Sequence, residues 1–146
     1  MKYQELKYRS TVTKEDLEYF IEHGINDTSH YVEGEDLSVT AVFEMDGRRL
    51  AMGGIVRLTK TTAMGWVELV PDAGSHIIKV YRTIKAWRDK TCREQGIIRF
   101  EAWIDVDNDV AIRFNEHLGL RKESVMKNFM GIGKDAFMYA KFYEGK

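Results

Sequence analysis

The sequence predicts an α/β domain built on a central, mixed, twisted sheet with helices on both faces. Three observations carry that expectation. Residues Ser38 to Met45 alternate apolar and polar positions and lead into Asp46-Gly47, the strongest short hairpin signal, so a meander of strands fills the middle of the chain. From Ser75 the period changes, and Ile77, Tyr81, Ile84 and Trp87 recur every three or four residues, as in a long helix. Beyond Gly96 a strand-like run, a polar turn and a short amphipathic segment follow in close order. A meander followed by strand–helix crossovers makes a sheet with both antiparallel and parallel neighbours.

Taken in order, Lys2 to Thr11 reads as a first strand. Thr13-Lys-Glu-Asp16 opens a helix with acidic residues in its first turn; Leu17, Phe20 and Ile21 form its apolar side and Gly24 stops it. Residues 26–36 are polar and irregular, a loop or a broken helix. Ser38–Met45, Arg49–Thr59 and Thr61–Val70 are the meander, which ends at Pro71-Asp72, the only proline in the chain. A helix over 76–94 ends at Gln95-Gly96. A strand over 97–105, a helix over 109–118 and a pair over 120–130 and 136–143 complete the order β-α-(loop or α)-β-β-β-α-β-α-β-β. The two strands near 63–70 and 97–105 are expected to be adjacent and parallel, diverging at their C-terminal ends.

The 146 residues are 44% hydrophobic, which suits one domain over 1–146 with a real core. A net charge of −1 gives no electrostatic case for nucleic acid or an anionic membrane. No apolar run approaches the ~20 residues of a membrane span, and the N-terminal residues lack a signal-peptide core. The single cysteine, Cys92, excludes an intrachain disulfide and reads as a small buried hydrophobe. A cytoplasmic location is the expectation.

The stretch Asp105 to Leu120 admits two incompatible motifs. Asp105, Asp107, Asp109 and Glu116 have the spacing of an EF-hand calcium loop, and Ile112 falls where that loop keeps an apolar residue. Val110, however, stands where the loop needs glycine for its sharp turn, and a strand-like run precedes it instead of a helix. The other motif is a strand, a turn and a short helix capped by Asn108 or Asp109. Val110, Ala111, Phe114 and Leu118 form its buried stripe, and Gly119 ends it. The sequence favours this second motif.

Strand, Asn108, Ala111-x-x-Phe114-x-x-x-Leu118-Gly119-Leu120 resembles the end of the GNAT acetyltransferase fold, where an Asn follows the fifth strand and Ala-x-x-Tyr-x-x-x-Gly-Phe forms the next helix and turn. The element order resembles that fold over nearly the whole chain. The segment from Trp66 to Tyr143 is also similar to small GNAT-like proteins of tailed phages, some of them internal virion proteins, which adds the host cytoplasm or a virion to the expected locations.

The resemblance implies acetyl-CoA as co-substrate and an amine as acceptor. In that family pantetheine pairs with strand edges where the fourth and fifth strands splay, and the pyrophosphate lies on amides at the next helix start. Here these contacts fall on Leu69, Val70, Ala73, Gly74 and Ser75, with Asn108 and Phe114 on the far side. The family's turn, Gln/Arg-x-x-Gly-x-Gly/Ala, is eroded: only Gly74 remains, the loop is several residues short, and Asp72 adds negative charge. An ordinary strand-to-helix turn with Ser75 as N-cap is the alternative. Catalysis by resemblance needs a carboxylate base, a β-strand amide for the thioester oxygen and a tyrosine for the leaving thiolate. Glu68 lies in the fourth strand, sharing a face with Met64, Trp66 and Val70; it reads either as a solvated strand-edge glutamate or as a base in a partly apolar cleft with a raised pKa. Phe114 replaces the tyrosine, so Tyr81 or Tyr139 is left to supply the proton.

The remaining candidates are structural in character. His23, His30, His76 and His117 have no metal-ligand spacing. Lys79, Arg82, Lys85, Arg88 and Arg93 read as the solvated face of the long helix, with CoA phosphates as the sharper use. Trp66, Trp87 and Trp103 read as core. Gly131-Ile-Gly-Lys134 has the look of a phosphate-loop tail, but Asp135 stands in place of the Ser/Thr and no helix follows. Two functions follow: an acyl-CoA-dependent N-acetyltransferase acting on an unidentified amine, with a homodimer among the expected assemblies, or an inactive GNAT-fold structural or interaction protein.

Overall fold

Asp16 shows how the first helix is tied to its sheet. The computed structural model describes residues 6–25 and 38–144; the N-terminal part of the predicted first strand, the irregular stretch 26–36 and His30 lie outside them. Strand β1 (Lys7–Ser10) leads to helix α1 (Lys14–Glu22), which opens with a capping box between Thr13 and Asp16. The Asp16 carboxylate is 1% exposed and accepts from Arg9 at 2.7 Å and from Arg49 Nε at 2.8 Å, as well as from Thr13. Burial by itself would raise its pKa. The bonds from Arg9, Thr13 and Arg49 outweigh burial and hold the carboxyl well below the usual range.

The meander is β2 (Ser38–Met45), β3 (Arg48–Arg57) and β4 (Thr62–Leu69). Asp46 and Gly47 both have positive φ, 51° and 76°, which is what a two-residue turn between twisted strands requires. A 3₁₀ turn (Pro71–His76) runs into α2 (Ile77–Glu94), followed by β5 (Arg99–Asp105), α3 (Asp109–His117), β6 (Arg121–Gly131) and β7 (Lys134–Phe142). The last hairpin closes more tightly than predicted, with only Ile132 and Gly133 between its strands.

The described strands form one mixed seven-stranded sheet in the order β1-β2-β3-β4-β5-β7-β6. Strands β4 and β5 are neighbours and parallel, as the sequence predicts. Their ladder comprises Thr62↔Arg99, Ala63↔Phe100 and Met64↔Glu101, all at the N-terminal ends of both strands. The β1–β2, β2–β3, β5–β7 and β7–β6 pairs are antiparallel.

Two compact units divide the chain: Met1–Val56 with Gly65–Arg88, and Arg57–Met64 with Asp89–Lys146. In the first, α1 and α2 cover opposite faces of the strands. Phe43 of β2 meets Trp87 of α2 edge-on at 5.5 Å, and Arg49, on the other face of β3, meets α1. Trp66 lies over Gly54, where any Cβ would overlap the indole ring. In the second unit, Phe100, Ala102 and Ile104 of β5 are buried with Phe114 and Leu118 of α3 and Tyr139 of β7.

Four predicted side-chain placements change. Val110 is 72% exposed. Ala111, Phe114 and Leu118 set the buried direction of α3, and Val110 falls roughly 70° to one side of it, in the first turn. Trp103 is 38% exposed because alternation turns it away from the α3 face of β5; it makes an edge contact with Phe129 at 5.0 Å instead. Arg88, counted with a solvated face, is 2% exposed, in a row with buried Val80, Ile84 and Cys92 at four-residue spacing. Ile21, assigned to the apolar side of α1, is exposed, leaving Phe20 as that helix's buried anchor.

The substitution Asp16→Ala is expected to cost about 2–3 kcal/mol, less than a fully buried pair because both arginines retain access to water, plus the lost cap. Folding lowers the carboxyl's pKa, so this stability is complete above the ordinary carboxylate range and is lost as pH falls through the folded-state value. Denaturant titrations of both proteins at pH 7 and pH 3 should therefore show the gap between them narrowing in acid.

Candidate functional site

The end of β4 and the turn after it lie within the first unit. Glu68 is half-buried on the face that carries Trp66 and Val70, both buried. The Val70 amide donates to the Leu50 carbonyl at 3.0 Å, towards β3. Strand alternation points the Leu69 amide to the opposite edge, so of these two predicted residues Val70 has its amide committed to β3. After Pro71 the chain tightens at once. The Ala73 amide donates to the Val70 carbonyl at 3.0 Å, and the 3₁₀ repeat directs the Gly74 and Ser75 amides to carbonyls three residues back. The Ser75 hydroxyl donates to the Asp72 carbonyl at 3.0 Å and caps nothing. Gly74 is exposed, with no heavy atom within 4 Å of where a Cβ would stand.

In the second unit the stretch after β5 forms the predicted turn and capped helix. Asp105 accepts from the Asp107 amide at 2.8 Å, and the Asn108 side chain accepts from the Ala111 amide at 3.1 Å as the N-cap of α3. Glu116 is turned towards Tyr139, whose hydroxyl lies 3.4 Å from its carboxylate. The four acidic residues of the calcium motif thus do not converge, and no group of three or more His, Cys, Asp or Glu among the described residues is arranged to hold a metal. Tyr139 is buried. Its phenol pKa is raised, first by burial and then by the charge and hydrogen bond of Glu116, so it keeps its proton at neutral pH. Phe114 fills the buried face of α3 and has no proton to give.

The first unit also holds a pocket of about 160 Å³ that the sequence did not reveal. Its wall is a three-layer stack. The His23 ring lies on Tyr19 at 3.8 Å with 13° between planes, and the Arg49 guanidinium lies 4.7 Å from the Tyr19 ring centre. His23 Nδ1 is 2.7 Å from the Tyr19 carbonyl oxygen, which fixes the imidazole at the end of α1. Buried Leu50 and Val70 line its floor, and exposed Arg48 and Asp72 its rim. The Tyr19–His23 spacing of four residues was a usable signal for the stack. Nothing local to residues 48 and 49 announces that they meet α1.

No protein-family profile matches the sequence, and no curated protein is recognisably similar to it. Solved structures are. The ribosomal-protein-S18-alanine N-acetyltransferase of Escherichia coli superposes with a TM-score of 0.73 at 14% identity, covering 97% of each chain. The spermidine N-acetyltransferase of Vibrio cholerae, solved with CoA and spermine, gives 0.75 at 12% identity over 94% of this chain and 95% of its own. A GNAT-family protein from Desulfovibrio desulfuricans gives 0.72 at 17% identity over 94% and 98%. The chain has the GNAT fold. On that fold the predicted residues separate into two groups. Glu68, Leu69, Val70, Ala73, Gly74, Ser75 and Tyr81 belong to the first unit, and Asn108, Phe114 and Tyr139 to the second. No helix of the described residues is long and apolar enough to cross a membrane.

The substitution Asn108→Ala is expected to lower stability by about 1 kcal/mol through the lost cap, a fall of a few degrees in melting temperature. Millimolar calcium should leave the melting temperature of either protein unchanged, because Asp105 is bonded to the Asp107 amide and Glu116 is turned to Tyr139. A calcium-dependent rise in the unaltered protein would restore the EF-hand motif.

Proposed function

We propose that this chain is an acyl-CoA-dependent N-acetyltransferase. The observation that carries the proposal is the GNAT fold extending over nearly the whole length, shared with enzymes described as N-acetyltransferases, one of them solved with CoA and spermine. The short parallel ladder of β4 and β5 supports it, since pairing between them stops at Met64 and Glu101 while β4 continues to Leu69. The edge beyond Met64 then offers a backbone to which pantetheine can add like a strand.

The chemistry is direct transfer. The free amine nitrogen attacks the thioester carbonyl, and the carbon–sulfur bond breaks as the amide forms. Glu68, half-buried beside Trp66, removes the ammonium proton of the acceptor. The Leu69 amide stabilises the oxyanion of the tetrahedral intermediate. A phenol returns a proton to the leaving thiolate, Tyr81 being the candidate in the unit that holds Glu68 and Leu69. The phosphates lie against the bare backbone at Gly74, at the start of the 3₁₀ turn and α2, where partial positive charge collects.

Thermal unfolding with acetyl-CoA tests the proposal. At 100 times its dissociation constant the ligand adds ~2.7 kcal/mol, a shift of several degrees. CoA should do nearly as well. Gly74→Val adds bulk where there is open space and ordinary φ, so it should fold normally and lose the shift. Glu68→Gln should keep the shift and slow acetyl transfer to an amine about 100-fold at neutral pH. If millimolar acetyl-CoA moves nothing, the fold serves another purpose here.

A further inference from the structure

Resting on the acyltransferase reading, we propose that the pocket beside Tyr19 and Arg49 receives the far end of the amine acceptor, and that this end carries a carboxylate. Position is the first ground. Val70 lines the pocket, and Glu68 stands two residues earlier on the same face of β4, roughly 7 Å away along the strand. An acceptor whose nitrogen lies at Glu68 therefore reaches the pocket with a chain on the order of five bonds long. Buried Leu50 and Val70 give the methylenes of such a chain an apolar floor.

Charge is the second ground. Among the described residues, the lining holds the guanidiniums of Arg48 and Arg49 and the imidazole of His23 against one carboxylate, Asp72. Asp16 takes the Nε side of Arg49, and Glu15 approaches its Nη2 at 3.9 Å, so much of that charge is already answered. Arg48 is different: it is exposed at the rim and has no ion-pair partner among the described residues. A guanidinium fork matches a carboxylate with two parallel hydrogen bonds. The distal ammonium of a polyamine would meet the unpaired guanidinium of Arg48, with Asp72 as the one carboxylate of the described lining to offset it. The pocket thus selects an acid-bearing amine, such as an ω-amino acid or a lysine with a free carboxylate, over the polyamines named for the Vibrio cholerae neighbour.

Three amines of matched length decide the matter: 6-aminohexanoate, hexylamine, which lacks the acid, and cadaverine, which replaces it with an ammonium. Thiol release from acetyl-CoA is expected to give 6-aminohexanoate a kcat/KM at least about 10-fold above both others, the scale of one charged hydrogen-bonded pair. Arg48→Ala should raise its KM by a similar factor and erase its advantage over hexylamine, with Arg48→Lys keeping part of it. Equal rates for 6-aminohexanoate and hexylamine, or a preference for cadaverine, would overturn the pocket assignment while leaving the acyltransferase intact. Calorimetric titration of 6-aminohexanoate into the acyl-CoA-free protein separates the two failures. Binding that Arg48→Ala abolishes upholds the pocket even if no amine is acetylated, and no binding alongside no transfer removes both.

Discussion

One buried carboxylate organises the first unit. Asp16 has no direct access to water, and a charge in that position is tolerable only because Arg9, Arg49 and Thr13 surround it with donors. The consequences reach well past the ion pairs. Arg9 brings β1 to the first turn of α1, and Arg49 brings β3 to the same turn. With its Nε edge fixed on Asp16, the Arg49 guanidinium lies over the Tyr19 ring, and Tyr19 in turn is stacked on His23. A capping residue thereby becomes the foundation of a pocket wall three layers away.

The turn after β4 departs from the glycine-rich phosphate loop of the GNAT pattern in a physically specific way. A short loop cannot curl its amides outward, so the residues after Pro71 wind into a 3₁₀ helix and turn their donors back on the chain. On the proposed reading, an anion is left the bare surface at Gly74 and the dipole of the helices that follow. Phe114, standing where the motif it resembles carries tyrosine, is the companion departure. Phe114 belongs to the apolar interior of α3 and β5, and a buried phenol of the same unit is found on β7, where Tyr139 directs its proton to Glu116.

Much of this was legible in the sequence. Periodicity, the Asp46-Gly47 turn and the Gly119 stop fixed the elements to within a few residues, because these signals are local. The cap at Asn108 was legible for the same reason. Misplaced side chains were those whose surroundings come from other parts of the chain. Arg88 sits on the four-residue row of Val80, Ile84 and Cys92, so the helical period did mark it for burial; its charge argued otherwise and lost. Trp103 has a core residue's size, but its face of β5 is the one away from α3. The pocket was illegible because Arg48 and Arg49 follow a hairpin turn, and only tertiary folding brings Arg49 to Tyr19.

Gly54 and Trp66 bind two distant codons together. The indole occupies the space a side chain at 54 would need, so even alanine is barred while tryptophan is present. A smaller residue at 66 would leave a void over the sheet, the kind of gap that costs a core more than the transfer of the lost atoms alone. Neither position can drift by itself. Relatives of this chain should therefore divide into those keeping the glycine–tryptophan pair and those that have exchanged both members, with few intermediates surviving between the two groups.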